Sequence, residues 1–189
     1  MTSAGDKTLT RNDPSSPVVM TMVRPETESD ASAVRVVNQR AFAGPTEARI
    51  VDAIRSRGHE RLSLVAVQDD RVVGHILFSP VEIVPDGVRI RGMGLAPMAV
   101  EPARQRQGIG SSLVREGLRR LDEMGCLFVV VVGHPEYYPR FGFEPASRFG
   151  VRPLWDGIPD EAFLIRIRPG AEPPPAGLAR YLPEFDDVS

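Results

Sequence analysis

The stretch Gln105-Arg106-Gln107-Gly108-Ile109-Gly110 constrains this chain more than any other, because of what lies on either side of it. Before it runs an apolar segment ending at Val100. After it, Ile109, Leu113, Val114, Leu118, Leu121 and Met124 recur at helical spacing, while Arg115, Glu116, Arg119, Arg120, Asp122 and Glu123 take the opposite side. Gly125 ends that helix, and Cys126 to Val132 follows as a run apolar on both faces, expected of a central, parallel-type strand covered by helices. Strand, crossover helix and strand make a β-α-β unit. Two glycines in the first helical turn bare the unpaired N–H groups there, and the partial positive charge of the helix end favours an anion such as a pyrophosphate. A plain strand-to-helix turn would use the same glycines, so the surroundings must decide.

Those surroundings divide readily. Residues 1–17 mix small polar residues and proline without periodicity and read as a flexible leader. A first strand is predicted over Val18–Val23. Thr27 and Asp30 have capping-box spacing ahead of a helix through Phe42 that ends at Gly44-Pro45. Thr46 is expected to cap a second helix carrying Ile50, Val51 and Ile54 and stopping at Gly58. Leu62–Val67 and Arg71–Ile83 are strand-like and joined by Asp69-Asp70, which suits a hairpin. Pro85-Asp86-Gly87 is a second turn. It leads to the apolar Leu95-Ala96-Pro97-Met98-Ala99-Val100, whose mid-run proline removes a ladder donor and predicts a bulge or interrupted pairing. The aromatic-rich Gly133–Phe143 should hold a brief helix, Phe163, Ile165 and Ile167 alternate as in a late strand, and the proline-rich Pro169–Pro175 should be extended. The domain is thus expected over residues 18–168, with 169–189 as a C-terminal extension.

Composition narrows the function classes. With 189 residues, one domain is expected. A net charge of −2 argues against a nucleic-acid binder that relies on a broad basic field. No apolar run is long enough to span a bilayer and the first residues lack a signal-peptide core, which implies no membrane partner and places the chain in the cytoplasm. Lys7 is the only lysine, so the body of the fold offers no P-loop or Schiff-base lysine. Cys126 stands alone and reads as a small core residue; His59, His75 and His134 lack ligand spacing, so no metal is expected. A dinucleotide-binding reading wants G-x-G-x-x-G, but Gly108-Ile109-Gly110 is followed by Ser111-Ser112-Leu113.

In order, an interrupted apolar strand, a Gln-x-x-Gly-x-Gly helix start and Tyr138-Pro139-Arg140-Phe141-Gly142-Phe143 resemble the GCN5-related N-acetyltransferase (GNAT) superfamily, most of all its YhbS-type acetyltransferases. The resemblance is strong over Leu95–Phe143. It implies an α/β fold with a central mixed, twisted sheet, helices on both faces and a splayed strand pair that forms a coenzyme groove. It also implies acetyl-CoA as co-substrate and direct transfer of the acetyl group to a primary amine in a ternary complex. Backbone groups of Met98, Ala99 and Val100 would pair with the pantetheine arm. The amides of Gln105, Arg106, Gln107, Gly108, Ile109, Gly110 and Ser111 would take the pyrophosphate, and Tyr138 would be the proton donor to the departing thiol.

Other roles stay open. Many family members have an asparagine where this chain has Gly133-His134-Pro135. His134 fits a base, a substrate contact or a loop brace. Tyr137 reads as core or substrate-wall packing. Glu47, Glu82, Glu101 and Glu136 are candidate general bases or plain solvated surface. The apolar late strand and tail would suit a homodimer. A coenzyme-A-binding sensor without transfer activity is the alternative function; it would share the cradle and differ at the acid and the acceptor cleft.

Overall fold

The computed structural model describes residues 20–85 and 87–186. The leader over residues 1–17, Val18, Val19 and Asp86 lie outside them. Nine strands form one sheet: β1 (Met22–Pro25), β2 (Leu62–Gln68), β3 (Arg71–Ile83), β4 (Ile90–Val100), β5 (Phe128–Val132), β6 (Glu144–Pro145), β7 (Val151–Pro153), β8 (Phe163–Ile167) and β9 (Gly177–Arg180). The main order is β1-β2-β3-β4-β5-β8-β6, with β9 paired to β3 and to β7. The helices are α1 (Ala31–Phe42), α2 (Thr46–Ser56) and α3 (Ile109–Glu123).

The local chemistry explains the boundaries. Asp30 accepts hydrogen bonds from the Thr27 N–H at 2.8 Å and the Thr27 hydroxyl at 2.7 Å, and so secures the entry to α1. Its two oxygens also take the Arg24 guanidinium at 2.6 and 2.9 Å. That bidentate contact ties β1 to the helix and holds the Asp30 carboxyl well below the usual range. Helix α1 ends at Phe42 as expected: Ala43 is left-handed (φ 53°) and Gly44 donates to the Gln39 carbonyl. Thr46 is the first residue of α2 rather than its cap, which is Pro45. Asp69 and Asp70 both have positive φ (48° and 57°), as the two-residue turn between β2 and β3 requires.

The expected break in β4 is present. Met98 pairs with Ile76 but Leu95 pairs with Phe78, so β4 carries an extra residue around Ala96-Pro97. On its other edge β4 runs parallel to β5 only at Met93↔Val129 and Gly94↔Val130. Beyond Gly94, β4 stays with β3 while β5 stays with β8, and the sheet forks.

One face of the sheet is covered by α3, whose Ile109, Leu113, Val114, Leu118 and Leu121 pack on Leu64, Ile76, Phe78, Leu95 and Val129. Met124 leaves the predicted stripe: it is 59% exposed, because the helix ends before it turns inward. On the opposite face α1 and α2 cover Val65, Val67 and Leu77. The neighbouring stretch of that face, Val81, Phe128 and Val130, is not roofed by a long helix as its unbroken hydrophobicity suggested. Phe149, Ile158 and Tyr181 cover it, and β9 adds Ala179 to the same cluster. Leu164 is buried along with Phe163 and Ile165, so β8 does not alternate between core and solvent. Residues 177–185, within the predicted extension, thus supply a strand and part of the roof.

Beneath α1 lies a buried polar chain. Asn38 Nδ2 donates to the Val34 carbonyl at 2.9 Å and to His75 Nδ1 at 3.0 Å, which leaves the imidazole proton on Nε2, 3.0 Å from the Ser63 hydroxyl. Ser63 donates to Glu26, itself paired with Arg55. Burial first, and then the Arg55 charge, push the His75 pKa down to about 3, so the ring is neutral.

Candidate functional site

The fork opens onto a cavity of about 710 Å³. Of the residues singled out in the sequence, Met98, Val100, Gln105, Arg106, Gly108, Ile109, Gly110, Ser111, His134 and Tyr138 line it. Arg104, Tyr137 and Arg140 line it as well, the two arginines having carried no signal in the sequence beyond their closeness to the motifs.

Ala99 and Gln107 do not line it. Glu101 N–H donates to the Val73 carbonyl, so with Val100 opposite Gly74 and Ala99 opposite His75, alternation in an antiparallel ladder commits the Ala99 N–H and C=O to β3. The groups of Met98 and Val100 point the other way, into the fork. Of the three consecutive residues expected to face a coenzyme, only Met98 and Val100 turn main-chain groups to the cavity, and the Ala99 side chain is also buried. Gln105 Nε2 donates to the Val100 carbonyl at 3.2 Å and closes that end of the edge. The Gln107 side chain is exposed and reaches only the Ala103 carbonyl, at 3.4 Å.

The turn into α3 has its own geometry. Arg106 is left-handed (φ 62°), and so is Gly108 at the N-cap (φ 84°). A Cβ on Gly108 would meet nothing within 4 Å, so this glycine serves backbone conformation. Gly110 serves space: its Cβ would come to 3.1 Å from the Tyr137 hydroxyl. That hydroxyl also lies 3.4 Å from Ser111 Oγ, and the Arg140 guanidinium sits over the Tyr137 ring, 4.7 Å from its centre. The result is a narrow channel of bare main chain at a helix N-terminus, flanked by arginines, which suits a polyphosphate.

Tyr138 stands at the far end of β5. It begins a short 3-10 turn, Tyr138–Phe141, and packs edge-on against Tyr137 and Phe143 with ring centres 5.1 and 5.5 Å away. The residue is only 6% exposed, and burial, reinforced by Tyr137, pushes its phenol above the ordinary value, so it enters any chemistry as an O–H donor. Gly133, just after β5, makes room for it: a Cβ there would fall 2.3 Å from the Tyr138 ring.

The four glutamates are dispersed. Glu101 is paired with Arg40 at 2.9 Å and borders a separate depression beside α1. Glu82 is held by Arg89 at 2.9 Å and Arg91 at 3.4 Å. Glu47 is in the first turn of α2, and Glu136 is exposed on the outer rim near His134. Cys126 is half-buried, and burial pushes its thiol up. Among the described residues no group of three or more His, Cys, Asp or Glu could hold a metal ion, and no helix is long and apolar enough to cross a membrane.

Known proteins share this arrangement. Residues 22–146 match the family model for an acetyltransferase (GNAT) domain. The N-acetyltransferase YhbS of Escherichia coli is 35% identical over 166 residues, 87% of this chain and 98% of its own. The crystal structure of YhbS in complex with CoA superposes with a TM-score of 0.81 at 33% identity, over 92% of this chain and 96% of the other. That of a GNAT acetyltransferase from Brucella melitensis in complex with acetyl-CoA gives 0.74 at 36% identity, over 88% and 99%. With the fork, the glycine turn and the tyrosine in one cavity, and the family model spanning most of the sheet, the chain belongs to the GNAT acetyltransferases.

Proposed function

We propose that this protein moves an acetyl group from acetyl-CoA to a primary amine by direct transfer in a ternary complex. The fork between β4 and β5 carries this reading, because it leaves an unpaired strand edge leading from a polyphosphate-shaped turn to a buried phenol. Met98 and Val100 present main-chain groups along that edge, and a pantetheine arm fits there as an added strand. The amides from Arg106 to Ser111 suit the pyrophosphate, with Arg104 and Arg140 beside them. Thioester activation of the acetyl carbonyl is the chemistry that the bound co-substrate supplies.

The residues then have separate tasks. A main-chain N–H of the Met98–Val100 edge polarises the carbonyl oxygen. As the C–N bond forms and the C–S bond breaks, the thiolate takes the proton of the Tyr138 hydroxyl, and the proton given up by the amine passes through solvent to restore that hydroxyl. The test is turnover of acetyl-CoA over a panel of primary amines, with mass detection of acetylated products, for the wild type and Tyr138→Phe. Transfer that collapses in Tyr138→Phe while coenzyme affinity stays unchanged supports the reading. Coenzyme binding without transfer to any amine would instead make the protein a sensor.

A further inference from the structure

Three arginines, Arg104, Arg106 and Arg140, line the cavity at the fork, and among the described residues no carboxylate does, so its walls favour an anion. Two hydroxyls meet in it. Tyr137 Oη lies 3.4 Å from Ser111 Oγ, which is longer than the roughly 2.5–3.0 Å of a good O–H···O bond, so neither proton is firmly held by the other residue. Both residues line the cavity and both are half-buried, within reach of what enters it. A phosphate oxygen set between them would accept from both, and a charged acceptor makes such bonds shorter and stronger than the hydroxyl pair makes alone.

Tyr137 is already held in place for that contact. Its N–H donates to the His134 carbonyl at 3.0 Å, and its ring packs edge-on against Tyr138 and Phe141, with centres 5.1 and 5.3 Å away. The Arg140 guanidinium closes one ring face, 4.7 Å from the centre. A ring fixed in this way has little rotamer freedom left to lose when its hydroxyl binds. Its position along the cavity is marked by Gly110. A Cβ there would come to 3.1 Å from Tyr137 Oη and to 3.6 Å from Met98 Sδ and Cε, so the phenol and the thioether converge above one bare Cα. Met98 belongs to the open strand edge and Gly110 to the glycine turn. The Tyr137 hydroxyl therefore stands where edge and turn meet, and on a coenzyme laid along both, that junction is taken by the phosphate esterified to the pantetheine arm.

We infer that Tyr137 is a side-chain ligand of the pantetheine-side phosphate, which makes the site recognise the 4′-phosphopantetheine half of the coenzyme by a phenol as well as by helix amides. The inference rests on the coenzyme groove proposed above, and each can fail separately. The probes are coenzyme A and its two halves, 4′-phosphopantetheine and adenosine 3′,5′-bisphosphate, titrated by calorimetry directly or in competition with coenzyme A. Tyr137→Phe keeps the ring and removes the donor. It should bind coenzyme A and 4′-phosphopantetheine at least about tenfold more weakly than the wild type, and the bisphosphate within about twofold. The thermal unfolding midpoint without coenzyme should stay at the wild-type value, which reads the fold independently. A tyrosine that only shapes the fold would weaken both halves alike or neither. Unchanged coenzyme A affinity in Tyr137→Phe, an equal loss on both halves, or 4′-phosphopantetheine that fails to compete in the wild type overturns the assignment. Failure of coenzyme A itself to bind the wild type overturns the proposed function instead.

Discussion

The two halves of β4 differ in what their edges do. From Ile90 to Gly94 the strand belongs to the core: Met93 and Gly94 pair with β5, and Gly92 lies so close to Phe128 that a Cβ would fall 2.4 Å from the ring. From Leu95 to Val100 it is paired on one side only, with its second edge turned to the cavity. A single strand is thus paired on both sides at one end and on one side only at the other. The change falls at Gly94, next to the extra residue around Pro97. Strand edges with free N–H and C=O groups invite pairing, and here α3 and the 3-10 turn holding Tyr138 restrict what can reach that edge.

Substitutions in the two halves should therefore separate binding from stability. The largest effect is expected on the open side: Gly110→Glu puts bulk and a like charge at the proposed pyrophosphate site, and coenzyme affinity should fall more than about a thousandfold, by calorimetry. A folded Gly110→Glu protein with unchanged affinity would remove the turn from the binding site. Next, Tyr138→Phe should lower kcat by about 10²–10⁴-fold at unchanged coenzyme affinity, measured by acetyl-CoA turnover.

On the paired side, Phe128→Ala should cost about 3–5 kcal/mol in denaturant unfolding, because the ring is fully buried against Gly92. The coenzyme affinity of its folded fraction should stay near wild type. A large affinity loss there would erase the contrast between the halves.

Smaller effects sharpen the boundary. Gly133→Ala should displace the Tyr138 ring and lower kcat by about tenfold, with little change in coenzyme affinity. On β3, opposite Ala99, His75 provides a pH signature of the core beneath α1. Its folded pKa lies near 3 against 6.5 unperturbed, so the unfolded chain binds the additional proton. That contribution to stability is complete above about pH 6.5 and is lost as the pH falls towards 3, at up to about 1.4 kcal/mol per pH unit. Unfolding free energies from pH 7 to 4 should show the slope in the wild type, and it should flatten in His75→Gln.

Much of this was legible in the chain, for local reasons. Helix α3 could be read because six apolar positions recur at helical spacing, although the last, Met124, falls past the helix end. The turn at Asp69-Asp70 follows from its length, and the bulge in β4 follows from a proline that cannot donate. Tyr138 could be located through a resemblance that covers both the strand before it and the aromatics after it. That the Ala99 main chain turns to β3 could not be read, because residue spacing along a strand says nothing about which neighbour its backbone faces. Arg140 was passed over because a single arginine in an aromatic segment carries no periodic signal.

The sequence by itself determined the β-α-β core, the glycine turn and the tyrosine, since each depends on residues close together in the chain and on patterns of period two or 3.6. The tertiary structure alone decided where β4 parts from β5 and which of Met98, Ala99 and Val100 face the gap. Those facts depend on pairing between strands far apart in sequence, where a shift of one residue reverses every face, and such a choice is settled only when the whole sheet packs.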